Sequence, residues 1–379
     1  MRKKMGILQG MAGLVFLALL SCGKNNDPWD SGLPEGEGSQ VRIVLAQPAT
    51  KAVGVVYDRD EEPVGRWAYF VFEHGTGRLA CKGEVADGRV ATRKLKTGEY
   101  DIEVIANYPV TGPDAVNMAS VGSRTDFQAL KVSLGDNALG AFVMAGTNED
   151  AAGNRMPFTV VQSESILQAD IHLKRLVSKV RVTGITRQFT SAYVAAKQLI
   201  LKGVYLTNIY TRARYGEDYS QNELGSSRSL WYNALGWHGE GSAPVSDGVD
   251  VLVGERGMLR SLAQGETVSL DVDLYFFPNP VRPSADVPSS GWTGAARCTR
   301  LVVWVQVDGR DYYYPATLPK EDAYAPIGRN CVFNVSCTLT ALGSTEEDDW
   351  VPGAMEVSFE PVLKNNGNWD ITPTVNEES

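Results

Sequence analysis

The chain has 379 residues, 43% of them hydrophobic, and a formal net charge of −9. That much apolar material can build a core, and the length exceeds what one core sustains, so two domains are expected. The negative balance excludes the basic face that nucleic acid or an anionic lipid surface would require.

The first element is a leader. Arg2, Lys3 and Lys4 form a basic start, Gly6 to Leu20 is largely apolar, and small Ser21 precedes Cys22. A secretory signal has this layout, and the stretch is too short and wrongly flanked for a stable membrane span. Leu19-Leu20-Ser21-Cys22 resembles a bacterial lipobox. The resemblance implies a diacylglyceryl thioether on Cys22, with residues 1–21 removed as signal peptide. The mature chain is then 379 − 21 = 358 residues. It is then expected to be anchored by lipid rather than to span the bilayer, at about 0.8 kcal/mol per buried CH₂. Residues 22–40 are polar and rich in Asn, Asp, Gly and Pro, and read as a flexible tether.

Beyond the tether, period-two alternation predicts strands. Val41, Ile43 and Leu45 form the first apolar row, and Trp67 to Glu73 reads as a second strand. Asp114 to Leu130 is expected to hold a helix and Ala192 to Gln198 a short turn. Tyr100 to Ala106, Ile166 to Leu173, Lys179 to Val182, Val268 to Leu274 and Cys331 to Leu339 are further strands. Leu301 to Val307 and Tyr312 to Tyr314 flank Asp308-Gly309, a hairpin signal. Residues 211–249 and 281–297 are rich in Gly, Ser and Pro and read as long surface loops. Met355, Val357, Phe359 and Leu363 alternate with polar residues, and Asn365 to Asn368 is a turn signal. Trp369, Ile371 and Val375 then share one face of a last amphipathic strand, in which Pro373 falls on the apolar parity. No fixed-period repeat is visible. The expected class is mainly β, as sandwiches with Greek-key crossings.

Signals for chemistry are weak. The chain has five cysteines and no C-x-x-C spacing. Cys331 and Cys337 share a strand face roughly 20 Å apart, too far to bridge, so buried free thiols are expected. His74, His172 and His238 have no metal-ligand spacing, and no metal is expected. Asp58 to Glu62 opens like a calcium loop, but Pro63 stands where the turn glycine belongs. No nucleophile elbow, P-loop or H-E-x-x-H pattern is present, so no catalytic residue, cofactor or enzyme activity is expected. Trp231, Tyr232 and Trp237 cluster beside His238, where aromatics could stack on a sugar or a host protein. Packing of that loop onto the second sandwich is the reading preferred over ligand stacking.

Several segments together resemble the fimbrillins of Bacteroidales, subunits of the type V pilus. They are the lipobox, Val41 to Leu45 followed by Ala49-Thr50-Lys51-Ala52, Gly98 to Asn107, and Phe142 to Gly146. Leu173 to Val182, Tyr312 to Pro315, Arg329 to Val335 and the segment around Trp369 complete the order. The resemblance implies two tandem transthyretin-like Greek-key β-sandwich domains, residues 41–176 and 177–379.

It also implies an assembly route. A trypsin-like surface protease cuts the lipidated precursor, the first strand (Val41, Ile43, Leu45) leaves, and a neighbour's C-terminal strand fills the gap. Here Lys51 is the expected cut site, with Arg59 and Arg66 as fallbacks, and Trp369, Ile371 and Val375 carry the donor strand. Many relatives have Arg where this chain has Lys51. The partners implied are other fimbrial subunits (a homopolymer with tip and anchor proteins) and a host protein or glycan. The precursor is expected in the outer membrane and the processed form in the fimbrium. A tip or anchor subunit, or a monomeric glycan-binding surface lipoprotein, is the alternative.

Overall fold

The computed structural model describes residues 38–46, 64–86, 88–150, 154–220, 231–232, 252–281, 298–318, 328–347 and 349–361. Strands dominate them. Residues 39–175 supply two sheets. The smaller contains β1 (Ser39–Leu45), β4 (Val90–Leu95) and β9 (Leu167–Ile171), in the order β4-β1-β9. The larger contains β2 (Trp67–Glu73), β3 (Leu79–Val85), β5 (Gly98–Ala106), β7 (Met144–Thr147), β8 (Phe158–Val160) and β10 (Lys174–Arg175). Its order is β10-β7-β5-β2-β3, with β8 also beside β5.

Residues 178–361 supply two more. β11 (Ser178–Arg187), β17 (Thr267–Phe276), β20 (Val332–Leu339) and β21 (Met355–Pro361) run in the order β17-β11-β20-β21. β12 (Leu199–Thr207), β16 (Gly254–Ser261), β18 (Arg300–Val307) and β19 (Arg310–Thr317) run in the order β16-β12-β18-β19. Two short ladders remain. β6 (Lys131–Ser133) pairs with β14 (Arg212–Arg214), and β13 (Ile209–Tyr210) with β15 (Trp231–Tyr232).

The two halves share one connectivity. β1 lies between an antiparallel β4 and a parallel β9, as β11 lies between an antiparallel β17 and a parallel β20. β2 takes β3 and β5 as β12 takes β16 and β18, and β5-β7 matches β18-β19. The second half adds β21 beside β20, and β9 has no such neighbour among the described residues. In each half the two sheets face each other across one apolar layer, which makes each a β-sandwich.

β2 explains how the halves join. Trp67, Tyr69 and Val71 point into the core beneath β1, while Ala68, Phe70 and Phe72 point the other way, into a cluster continuous with the second sandwich. A strand buried on both faces needs an unbroken apolar run, and Trp67 to Phe72 is one. Phe127 tilts against Phe70 and Phe72 at 5.2 and 6.1 Å, and Phe142 meets Tyr275 of β17 at 4.6 Å. On the same face of β5, Asp101 and Glu103 are buried but paired. Asp101 meets Arg124 at 2.9 Å and His74 at 3.1 Å, and Glu103 meets Arg155. Buried carboxylates without such partners would be strongly destabilising.

Three expectations need correction. The helix expected within Asp114 to Leu130 is split into a 3₁₀ turn (Met118–Ser120) and a short α1 (Arg124–Ala129), the latter started by a capping box between Ser123 and Asp126. Upstream, buried Lys82 donates to the carbonyls of Met118 and Val121, at 2.6 and 2.8 Å, and so takes acceptors that a continuing helix needs. The surface loop predicted from residue 211 begins instead as β14, with Tyr215 buried. Arg329 donates to the carbonyls of Arg214 and Tyr215 and ties that segment down. β1 begins at Ser39, inside the stretch assigned to the tether. The hairpin at Asp308-Gly309 forms as expected, both residues at positive φ (52° and 84°), which matches the twist of the flanking strands.

Cys81, Cys298, Cys331 and Cys337 are free and buried. Burial pushes the thiols of Cys331 and Cys337 up to about 12. At pH 8 roughly one in 10⁴ of either is thiolate, so both should resist alkylation until the protein unfolds. Rapid labelling of either in the folded protein, read by peptide mass, would contradict this packing. Phe142→Ala should destabilise the chain by about 3–5 kcal/mol and separate the unfolding of the two halves, seen as a second calorimetric transition.

Candidate functional site

The strand that the resemblance implies is removable occupies the centre of a sheet. β1 pairs with β4 over Ser39 to Val44 and with β9 over Val41 to Leu45, so its backbone is satisfied on both sides. The Leu45 N–H donates to the Arg89 carbonyl at 2.8 Å, and the next N–H, of Ala46, donates to Ile171 at 3.0 Å. Alternation carries this pattern back along the strand: inward residues bond β4 and outward residues bond β9.

The inward row is Ser39, Val41, Ile43 and Leu45, all 2% exposed or less. Val41, Ile43 and Leu45 belong to a cluster with Trp67, Tyr69, Val71, Ile102 and Val104 that is separate from the large one at the seam. Ile43 lies between Ala91 of β4 and Ala169 of β9, directly opposite on either side. Two flanking alanines leave the width that a branched side chain fills. Burying Val, Ile and Leu contributes about 1.5–3 kcal/mol each, so the row is worth roughly 5–9 kcal/mol. A whole domain is stable by about 5–15 kcal/mol. A groove emptied of β1 would therefore be a high-energy state.

The start of β1 is clamped. The Ser39 hydroxyl donates to the Val161 carbonyl at 2.7 Å and accepts from the Ser163 N–H at 2.9 Å. Gly38 sits at φ +89°, and a Cβ there would lie 2.4 Å from the Leu95 carbonyl oxygen. Nothing in local sequence pattern marks Gly38, Ser39, Ala91 or Ala169; their roles come from pairing between distant segments.

Cys22, Lys51, Arg59, Trp369, Ile371 and Val375 lie outside the described residues, as do Trp237 and His238. Arg66 is exposed, but its carbonyl accepts the Asn107 N–H at 2.9 Å and the next residue, Trp67, is fully buried. The Arg66–Trp67 bond thus runs straight into β2, a poor setting for a protease that must bind extended chain on both sides of its cut. β21 is paired within its own sandwich, with Phe359 stacked on Phe333 at 4.4 Å. Trp231 and Tyr232 form β15 against β13.

Other polar clusters are internally paired. A cleft of about 300 Å³ is lined by Glu103, Glu149, Arg155, Lys174, Asp218 and Arg329. Its charges meet one another: Lys174 to Glu149 at 2.7 Å, Arg329 to Asp218 at 2.7 Å, and Arg155 to Glu103. Among the described residues no group of three His, Cys, Asp or Glu side chains could hold a metal ion.

No protein-family model matches the chain, and no curated relative matches its sequence. Solved structures do match. A fimbrilin from Porphyromonas gingivalis W83 superposes with a TM-score of 0.56 at 12% identity, over 86% of this chain and 97% of its own. The chain has the fold of a fimbrilin. Proteins assigned to cell adhesion superpose equally well. One from Parabacteroides distasonis gives a TM-score of 0.56 at 14% identity, over 89% of this chain and 99% of that one. One from Bacteroides eggerthii gives 0.55 at 18%, over 89% and 97%. The correspondence runs nearly end to end in each, so the fold is matched as a whole.

Ser39→Ala should cost about 1 kcal/mol, because the half-buried Ser163 N–H loses its acceptor. Gly38→Ala should cost more, since backbone rather than a flexible side chain blocks the new methyl. Urea midpoints of the two variants check the order, and a neutral Gly38→Ala would show that β1 is not held in this register.

Proposed function

We propose that the protein is a structural subunit of a cell-surface fimbrium, built from two transthyretin-like Greek-key sandwiches, residues 41–176 and 177–379. It is not an enzyme. The strand orders β17-β11-β20-β21 and β16-β12-β18-β19, repeated without the last strand in the first half, support that assignment. The precursor is lipidated at Cys22 and sits in the outer membrane. A trypsin-like protease cuts after Lys51, in the segment between β1 and β2, and β1 leaves. A neighbouring subunit inserts a strand into the vacated groove, and the segment Trp369 to Val375 does the same for the next subunit along.

The single observation that carries this reading is the position of β1. Its inward row fills a core of its own, and its two flanks are strands that remain part of the chain on the far side of the cut. Removal opens two edges and three pockets at once, and only another strand satisfies both. Such head-to-tail addition does not close, so it produces a filament. The burial of Trp67 favours Lys51 over Arg66 as the cut site.

The N-terminal mass of protein sheared from the cell surface tests the reading. A chain beginning at Ala52 is expected. A population that begins only at lipidated Cys22 would overturn strand removal. Trp369→Ala combined with Ile371→Asp should abolish polymers while leaving folded monomers, as judged by sedimentation and circular dichroism.

A further inference from the structure

We infer that the β1 groove takes its strand from a subunit other than a second copy of this chain, a strand with a small residue and a hydroxyl leading three aliphatic side chains. The inference rests on the strand-exchange reading above and specifies the partner. It comes from comparing what the groove demands with what the chain's own C-terminal segment offers.

The demands are set by β1. Each inward N–H is used by β4, as the Leu45 N–H to Arg89 shows, and each outward N–H by β9. An occupant therefore needs an N–H at every position. The first position must be glycine, because of Gly38's φ and the nearby Leu95 carbonyl. The second needs a small hydroxyl to bond Val161 and Ser163. The remaining three inward positions, 41, 43 and 45, hold Val, Ile and Leu with no exposure above 2%.

The segment Asn368 to Asn376 reads Asn-Trp-Asp-Ile-Thr-Pro-Thr-Val-Asn. Any register that seats both Ile371 and Val375 inward also seats Pro373 between them. Proline has no N–H and is confined to edges, first residues and bulges of sheets, whereas this groove is flanked on both sides. With Ile371 at position 41 and β1's direction, Trp369 falls on the clamped Ser39 position and Asn368 on Gly38. With Ile371 at position 43, Pro373 falls on Leu45, whose N–H bonds Arg89. Neither register meets the groove. The segment suits an acceptor with a more tolerant edge, so donor and acceptor in the fibre are different proteins. The homopolymer expected from resemblance gives way to a mixed assembly.

The test uses the full mature chain with a site-specific protease sequence inserted after Lys51, so that the cut does not depend on the native enzyme. After cutting, fluorescent peptides compete for the groove: residues 38–46, residues 368–376, and 368–376 carrying Pro373→Val. Uptake of the 38–46 peptide is expected, with 368–376 at least roughly tenfold weaker and improved by Pro373→Val. If 368–376 binds as well as 38–46, or gains nothing from Pro373→Val, the mixed-assembly inference is wrong and strand exchange stands. If the 38–46 peptide itself does not enter the cut chain, the strand-exchange reading fails and this inference with it.

Discussion

The proposed function depends on one strand, β1, that is hydrogen-bonded on both sides and buried along its inner face. β1 completes a sheet and closes a core, and among the described residues it is the first strand, followed by β2. The same location in the second half is held by β11, whose chain enters from β10 through fully buried Leu176 and Val177. One topology thus occurs twice with two mechanical consequences. β11 is fixed by its connections at both ends, and β1 is retained by pairing and apolar burial.

On the proposed reading, the seam between the halves determines what else would move if β1 left. The cluster beneath β1 is separate from the larger cluster that crosses from β2 and β5 into the second sandwich. Loss of the first leaves the second intact. Phe70, Phe72, Phe127, Phe142 and Tyr275 continue to hold the larger sheet of the first half against the second half. Under the proposed strand exchange, the groove would then be mounted on a packed support that holds β4 and β9 in place. Open edges of this kind invite unspecific pairing. On the proposed reading, the Gly38 and Ser39 environments would restrict entry to strands whose first residues fit.

Strands buried on one face were legible in the sequence. β1, β17 and β20 show period-two alternation because each has one face in a core, and β5 shows it although both its faces are buried, because Asp101 and Glu103 on the second face are charged and paired. β12 did not, since Leu199 to Thr207 is nearly all buried and carries no alternation. β4 was hidden for another reason: the stem of Arg93 runs on its inner side, with the guanidinium 5.2 Å from the Tyr69 ring. The groove was only half readable. Val41, Ile43 and Leu45 announce themselves, but their flanks are set by pairing across long sequence separations, which no local pattern encodes. The repeated connectivity was invisible for the same reason, being a property of strand order rather than residue period.

The central claim is that β1 is a replaceable strand, and hydrogen–deuterium exchange on fibre-assembled protein tests it most directly. Peptides covering β1 should be absent from assembled subunits, while the amides of β4 and β9 stay as protected as in the precursor. Retention of protected β1 peptides in the fibre would contradict the account, because the groove would then never have been vacated.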